Sequence, residues 1–337
     1  MRMLRLAVLA VLAALAALAA APASAQSGDA SLARLQAELA RLAPISQGKL
    51  GVGVVHLESG RSVYLDADIG FPMASTVKVP IAVQLLTMVD QGKLRLDSMI
   101  AVEPGDLHPG SGTLTRLFDD PGVSLSVRNL MELMLLISDN SATDILLRVA
   151  GGGAAVNARL AALGVTGISV DRPTIALIAD AIGVRSLPAA GEQTPARFRD
   201  LARAVTAAER EAAVAAFYRD ARDTATPRGM ARLLEMIWKR EALSEASSAL
   251  LLDIMYRCET GEARLKGVLP PGTAVAHKTG SLGLGVANDV GIIDLPDGAG
   301  HVIVAAFVKE SKGDVAAQER AIAQVARAAH DYFVFHR

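Results

Sequence analysis

The chain has 337 residues, 51% of them hydrophobic, with 34 basic against 35 acidic side chains and a formal net charge of −1. Such a balance leaves no electrostatic footprint for nucleic acid or an anionic membrane surface. One cysteine, Cys258, excludes an intramolecular disulfide, and no Cys/His cluster has metal-ligand spacing, so no metal and no cofactor is expected.

The first residues read as a leader. Met1, Arg2 and Arg5 give a basic start, 6–21 is a run of Leu, Ala and Val, and Ala23-Ser24-Ala25 supplies small residues for cleavage. The run is nearly long enough to be a membrane anchor, but the small-residue ending and the polar 26–29 favour removal. The expectation is an exported protein, periplasmic or secreted, monomeric and without a stable anchor. Removal of 1–25 leaves 26–337 as one catalytic domain and takes the charge to −3 through loss of Arg2 and Arg5.

Along the mature chain, Leu32, Leu35, Leu39 and Leu42 form a helical stripe within 29–42. Residues 50–57 and 62–65 read as strands around the turn 58–61, a hairpin. Val77, Ile81, Leu85 and Met88 recur at helical spacing and predict a helix closed by Gly92. The stretch 125–147 is helix-rich and is interrupted by Ser138-Asp139-Asn140, which by composition is a helix boundary with capping side chains. Strands are predicted over 273–281, 286–294 and 301–308, with the turn 295–300 between the last two, and a closing helix over 316–333. The six histidines (His56, His108, His277, His301, His330 and His336) lack ligand spacing and read as structural or solvated, and Cys258 as a small buried residue.

This order predicts an α+β fold. An antiparallel sheet flanked by terminal helices is built from about 28–68 and 262–337, and an all-helical lobe of about 69–261 is inserted between its strands.

Ser75 and Lys78 stand three residues apart at a helix start, which stacks a weak nucleophile beside an amine able to activate it. Alone, this pair is a weak signal. Ser138-Asp139-Asn140 follows 63 residues after Ser75, and Lys278-Thr279-Gly280 follows Ser138 by 140 residues. Gly280 also permits close approach of a ligand backbone, as an added strand would make. With this ordered set, nearly the whole mature chain resembles a class A serine β-lactamase, of the β-lactamase/transpeptidase-like fold.

The resemblance implies that Ser75 is acylated beside Lys78, and that Ser138 and Lys278 serve proton delivery and the substrate carboxylate. It implies that Asn140 grips the substrate amide, with Thr279, Gly280 and Ser281 along the bound ligand and the amides of Ser75 and Ser281 as oxyanion donors. Arg264 matches an alternative carboxylate-side arginine, against a plain reading as a solvated residue in a surface turn.

One departure matters more than these matches. The glutamate that activates the deacylating water in the family is Thr174 here, and its asparagine partner is Ile178. The loop is also enlarged, Asp223 following Asp171 by 52 residues. The insertion at about 179–220 reads as a surface helical addition, with Thr194-Pro195 as cap and first helical residue. Alternatively it is a lid, or a source of a substitute carboxylate from Glu192, Glu209 or Glu211. Arg172 and Asp223 are expected to pair across its neck.

Three functions are compatible with this pattern: a β-lactam hydrolase, a peptidase or esterase acting on D-alanyl peptide-like substrates, and a penicillin-binding receptor that stays acylated.

Overall fold

The computed structural model describes residues 23–118 and 122–336. The leader expected over 1–25 therefore lies, except for its last three residues, outside the described residues. Helix α1 (Ala23–Leu42) begins earlier than its leucine period indicates and leads to β1 (Lys49–His56), β2 (Ser62–Leu65) and the short β3 (Phe71–Pro72). A 3₁₀ turn, Ala74–Val77, runs straight into α2 (Lys78–Asp90). There follow β4 (Met99–Ala101), the single turn α3 (Leu114–Leu117), β5 (Ser124–Ser126), α4 (Val127–Leu136), α5 (Asn140–Val149) and α6 (Gly152–Ala162). Next come α7 (Thr174–Ile182), α8 (Pro195–Ala204), α9 (Ala207–Phe217), β6 (Thr224–Ala225), α10 (Pro227–Trp238) and α11 (Glu245–Tyr256). Strands β7 (Val275–Ser281), β8 (Ala287–Asp294) and β9 (His301–Lys309) precede the last helix, α12 (Val315–Phe335).

The main sheet is antiparallel with strand order β2-β1-β9-β8-β7. Strand period decides where its side chains go. Val302, Val304, Ala306 and Val308 of β9 join a core with Leu35 and Leu39 of α1 and Ile322, Val325 and Phe333 of α12. The alternate residues Ile303, Ala305 and Phe307 join a second core made with the central helices. Both faces are covered, which is why β9 is a continuous apolar run rather than an alternating one. Gly51 and Gly53 leave the middle of one face of β1 free of side chains. A Cβ on Gly53 would stand 2.8 Å from the Pro227 carbonyl, so glycine lets the start of α10 lie directly on the sheet.

The stripe expected on the helix after Ser75 is only part of its buried surface. Val79, Ala82, Val83 and Leu86 are buried together with Val77, Ile81 and Leu85, so α2 is packed on all sides. Such a helix shows no clean amphipathic period in sequence.

The insertion folds on α7. Phe198 of α8 packs with Ile175, Ala179 and Val184, and Phe217 at the end of α9 packs with Leu177 and Ala181. Thr194 caps α8 by accepting the Arg197 amide, as its Thr-Pro pair indicates. The neck is closed by a charge cluster around the buried Arg172–Asp223 pair. Arg172 Nε donates to Asp223 Oδ2 at 2.6 Å, and its Nη1 reaches Asp180 at 2.6 Å and Asp220 at 3.1 Å. Asp223 also accepts the amides of Asp171 and Arg172, at 2.7 and 3.1 Å. Removing the Asp223 carboxylate strands these donors away from water. Asp223→Ala is therefore expected to cost about 3 kcal/mol, as for a broken buried ion pair, read as a lower midpoint in urea unfolding.

Candidate active site

The 3₁₀ turn Ala74–Val77 puts Ser75 one turn before Lys78, at the head of a helix whose other residues are core. Ala74 holds a positive φ of 47°, a left-handed conformation uncommon for a residue with a side chain. Strand β7 runs tight against this turn. A Cβ on Gly280 would lie 2.6 Å from the Met73 carbonyl and 3.1 Å from the Ser75 amide nitrogen, so only glycine fits. Asn288 of β8 ties the same turn from below, donating to the carbonyls of Pro72 and Met73 at 2.9 Å each.

Ser138-Asp139-Asn140 joins α4 to α5 and divides its work. Asp139 is the cap: one carboxylate oxygen accepts the Ala142 amide at 2.9 Å, and the other accepts the amides of Thr113 and Leu114 at 2.6 and 2.9 Å. Ser138, at φ 61°, and Asn140 face Lys78 instead. Lys78 Nζ donates to the Ser138 carbonyl at 2.7 Å, to Ser138 Oγ at 3.0 Å and to Asn140 Oδ1 at 3.2 Å. Lys278 Nζ reaches the same hydroxyl from the opposite side at 3.1 Å. Ser138 Oγ thus bridges two lysines, both fully buried.

Two buried cations this close raise each other's cost of ionisation. Burial, with Lys278 adding to it, holds the Lys78 amine well below the ordinary lysine value, against the pull of Asp139 and Asp144. Burial brings Lys278 down to about 8, opposed by the negative charge of Cys258 and Asp289.

Lys78 and Ser138 border a cavity of about 400 Å³, to which Lys278 is joined through Ser138 Oγ. One edge is polar: Ser75, Ser138, Asn140, Thr279, Ser281 and Arg264 line it. The wall opposite is apolar and comes from α7 and the loop after β7, with Leu177, Ile178, Ala181, Ile182, Leu282 and Leu284. Thr174 borders the cavity where α7 begins, and its amide and that of Ile175 donate to Asp144 at 2.6 and 3.1 Å. The two carboxylates among the lining residues, Asp223 and Glu319, are each tied to an arginine, Arg172 and Arg264.

Ser75, Lys78, Ser138, Asn140, Thr279, Ser281 and Arg264 line this cavity, with Lys278 joined through Ser138 Oγ and Gly280 packed behind the Ser75 turn. Arg264 is not a solvated turn residue: it is buried, its Nη1 donating to the carbonyls of Gly280 and Asn288 and its Nη2 to Ser281 Oγ at 2.6 Å. The substitute carboxylates weighed from sequence are elsewhere. Glu209 closes the capping box of α9, Glu192 is exposed and pairs with Arg197, and neither these two nor the exposed Glu211 is among the lining residues. Sequence reasoning missed Thr260 and Glu319. Each is an ordinary helix or loop residue locally, and only long-range packing brings it to the cleft.

A sequence profile described as "Beta-lactamase enzyme family" matches residues 34–333. Beta-lactamase VEB-1 of Pseudomonas aeruginosa is 28% identical over 307 residues, covering 89% of this chain and 90% of that protein. Among solved structures, an ancestral class A β-lactamase superposes with a TM-score of 0.71 at 32% identity, over 88% of this chain and 99% of its own. A single-site mutant of PBP-A, described as an acyl-enzyme complex with penicillin G, superposes with a TM-score of 0.70 at 28% identity, over 89% and 96%. With the α+β fold and these matches spanning most of both chains, this protein belongs to the β-lactamase enzyme family, as a serine hydrolase of the class A type.

Proposed function

We propose that β-lactams acylate this protein at Ser75 quickly and that the acyl-enzyme is released slowly. The observation that carries this reading is the asymmetry of the cavity. Its acylating edge is complete, whereas the wall at Thr174 and Ile178 is apolar and offers no unpaired carboxylate among the described residues.

In this reading Lys78, whose charged form burial disfavours, takes the Ser75 proton in its neutral form as the hydroxyl attacks the carbonyl. The amides of Ser75 and Ser281 receive the oxyanion, and Ser138 passes a proton to the leaving nitrogen. Asn140 orients the substrate amide. Lys278 and Thr279 receive the carboxylate, and Arg264 acts through Ser281, whose hydroxyl it holds. Deacylation needs a base within hydrogen-bond reach of a water, and a threonine hydroxyl is no base near neutral pH.

The same asymmetry favours a second reading, a penicillin-binding receptor that stays acylated, in line with the solved neighbour described as an acyl-enzyme complex with penicillin G. Export follows from the leader read in the sequence; among the described residues no helix is long and apolar enough to cross a membrane.

Intact-mass spectrometry with penicillin G tests the proposal. One adduct per chain, mapped to the peptide carrying Ser75 and persisting after free penicillin is removed, is the expected result. A labelled residue other than Ser75, or no adduct with no hydrolysis, overturns it.

A further inference from the structure

Behind the carboxylate end of the cleft lies a buried chain of polar groups that the chemistry above does not use. His277 lies on β7 next to Lys278 and is fully buried. Its Nδ1 is 2.9 Å from Asp289 Oδ1 on β8. Its Nε2 is buried without a hydrogen-bond partner, and Cys258 is, after Asp289, the group that favours the charged imidazole. Cys258 Sγ lies 3.3 Å from Thr260 Oγ1, and Thr260 Oγ1 lies 2.6 Å from Thr279 Oγ1, at the cleft.

A hydroxyl has one proton to donate. When Cys258 is a thiolate it only accepts, so Thr260 donates to it and Thr279 donates to Thr260. The Thr279 proton is then turned inward, and lone pairs face the cleft. When Cys258 carries its proton, the thiol donates to Thr260 Oγ1, its nearest acceptor at 3.3 Å, the carbonyls of Leu136 and Thr260 lying farther off at 3.8 and 3.9 Å. Thr260 then donates to Thr279, which frees the Thr279 hydroxyl to donate outward. One proton gained or lost at sulfur reverses both hydroxyls, with no heavy atom moved.

We propose that Cys258, His277 and Asp289 are positioning residues that set the direction of the Thr260–Thr279 hydroxyl pair, and so whether Thr279 donates to a substrate carboxylate. This inference rests on the reading of Thr279 as part of the carboxylate site.

The charges around sulfur place the switch near neutrality. Burial pushes the thiol up, but His277 at its side, then Lys278, bring it down to about 7. His277 loses affinity for its proton through burial and regains more from Asp289, which carries it to about 9, so it stays charged across the thiol's titration. Lys266 donates to the Cys258 carbonyl at 3.3 Å, and the neighbours Arg257 and Glu259 are exposed. The thiol is therefore protonated below about 7 and a thiolate above it, and donation from Thr279 is lost as pH rises.

The test follows acylation of Ser75 by a penicillin and by an ester lacking a carboxylate, across pH, in wild type, Thr260→Val and Cys258→Ser. The ultraviolet absorbance of the thiolate is recorded alongside. Wild type is expected to lose about tenfold in penicillin acylation as pH rises through about 7, the low end of one charge-assisted hydrogen bond, while the ester is unaffected there. Thr260→Val keeps the thiolate and its charge on Lys278 but cuts the chain, so the tenfold fall disappears and only the fall near 8 from Lys278 remains. Cys258→Ser loses the fall together with the thiolate signal. If Thr260→Val retains the wild-type fall, the thiolate acts only through charge and the proposal is overturned; a flat wild-type profile through the thiolate transition overturns it equally. Absence of any acylation would instead overturn the functional reading beneath it.

Discussion

A penicillin mixed with the wild-type protein is expected to give a burst of one equivalent, followed by turnover about 10²–10⁴-fold slower than an enzyme with a placed base would sustain. The burst requires Ser75, Lys78, Ser138 and the oxyanion donors, and the structure gathers these around one cavity. The slow phase follows from the opposite wall, where Thr174 begins α7 and Ile178 belongs to an apolar cluster. Quenched-flow measurement of product against time separates the two phases. Thr174→Glu puts a carboxyl at the first residue of a helix, where the dipole favours it, and is expected to speed the slow phase while leaving the burst amplitude at one. Rapid steady-state hydrolysis without a burst would sink slow deacylation and turn the search to Asp223 and Glu319, the carboxylates that do border the cavity.

Ser75→Ala is expected to abolish covalent labelling by a fluorescent penicillin, and Lys78→Ala to slow it by about 10²–10⁴-fold. The sign of the pH dependence distinguishes a base from a merely structural lysine. A depressed amine is charged below its own pKa and cannot take the Ser75 proton; above that pKa it is neutral and can. Wild-type acylation should therefore rise with pH through a midpoint well below the ordinary lysine value, since burial depresses Lys78 strongly. With carboxylate substrates it should fall again, through about 7 as Thr279 ceases to donate and then near 8 as Lys278 loses its charge. Lys78→Ala should erase the rising limb and keep the fall. A Lys78→Ala profile that still rises would show that another group is the base.

What the sequence settled by itself was local. Strand and helix periods predicted β1, β2, β7, β8, β9, α1 and α12, and Asp139 and Thr194 cap where their residue types indicate. The ordered motifs placed Ser75, Lys78, Ser138, Asn140 and Lys278 in one site, because each motif is a short-range geometry that a resemblance carries whole. The neck pair Arg172 and Asp223 followed in the same way. Tertiary structure decided what depends on distance between segments. Whether Arg264 was solvated or buried turned on where β7 and β8 run, and Glu192 and Glu209 were excluded because their own caps and pairs hold them on parts of the insertion that do not line the cavity. Lys78 and Lys278 are depressed because the fold buries both, with the charge of Lys278 adding to the effect at Lys78 and that of Arg264 at Lys278. The Asp289–His277–Cys258 chain has no sequence signature for the same reason: a desolvated charge takes its strength from partners that only the fold supplies.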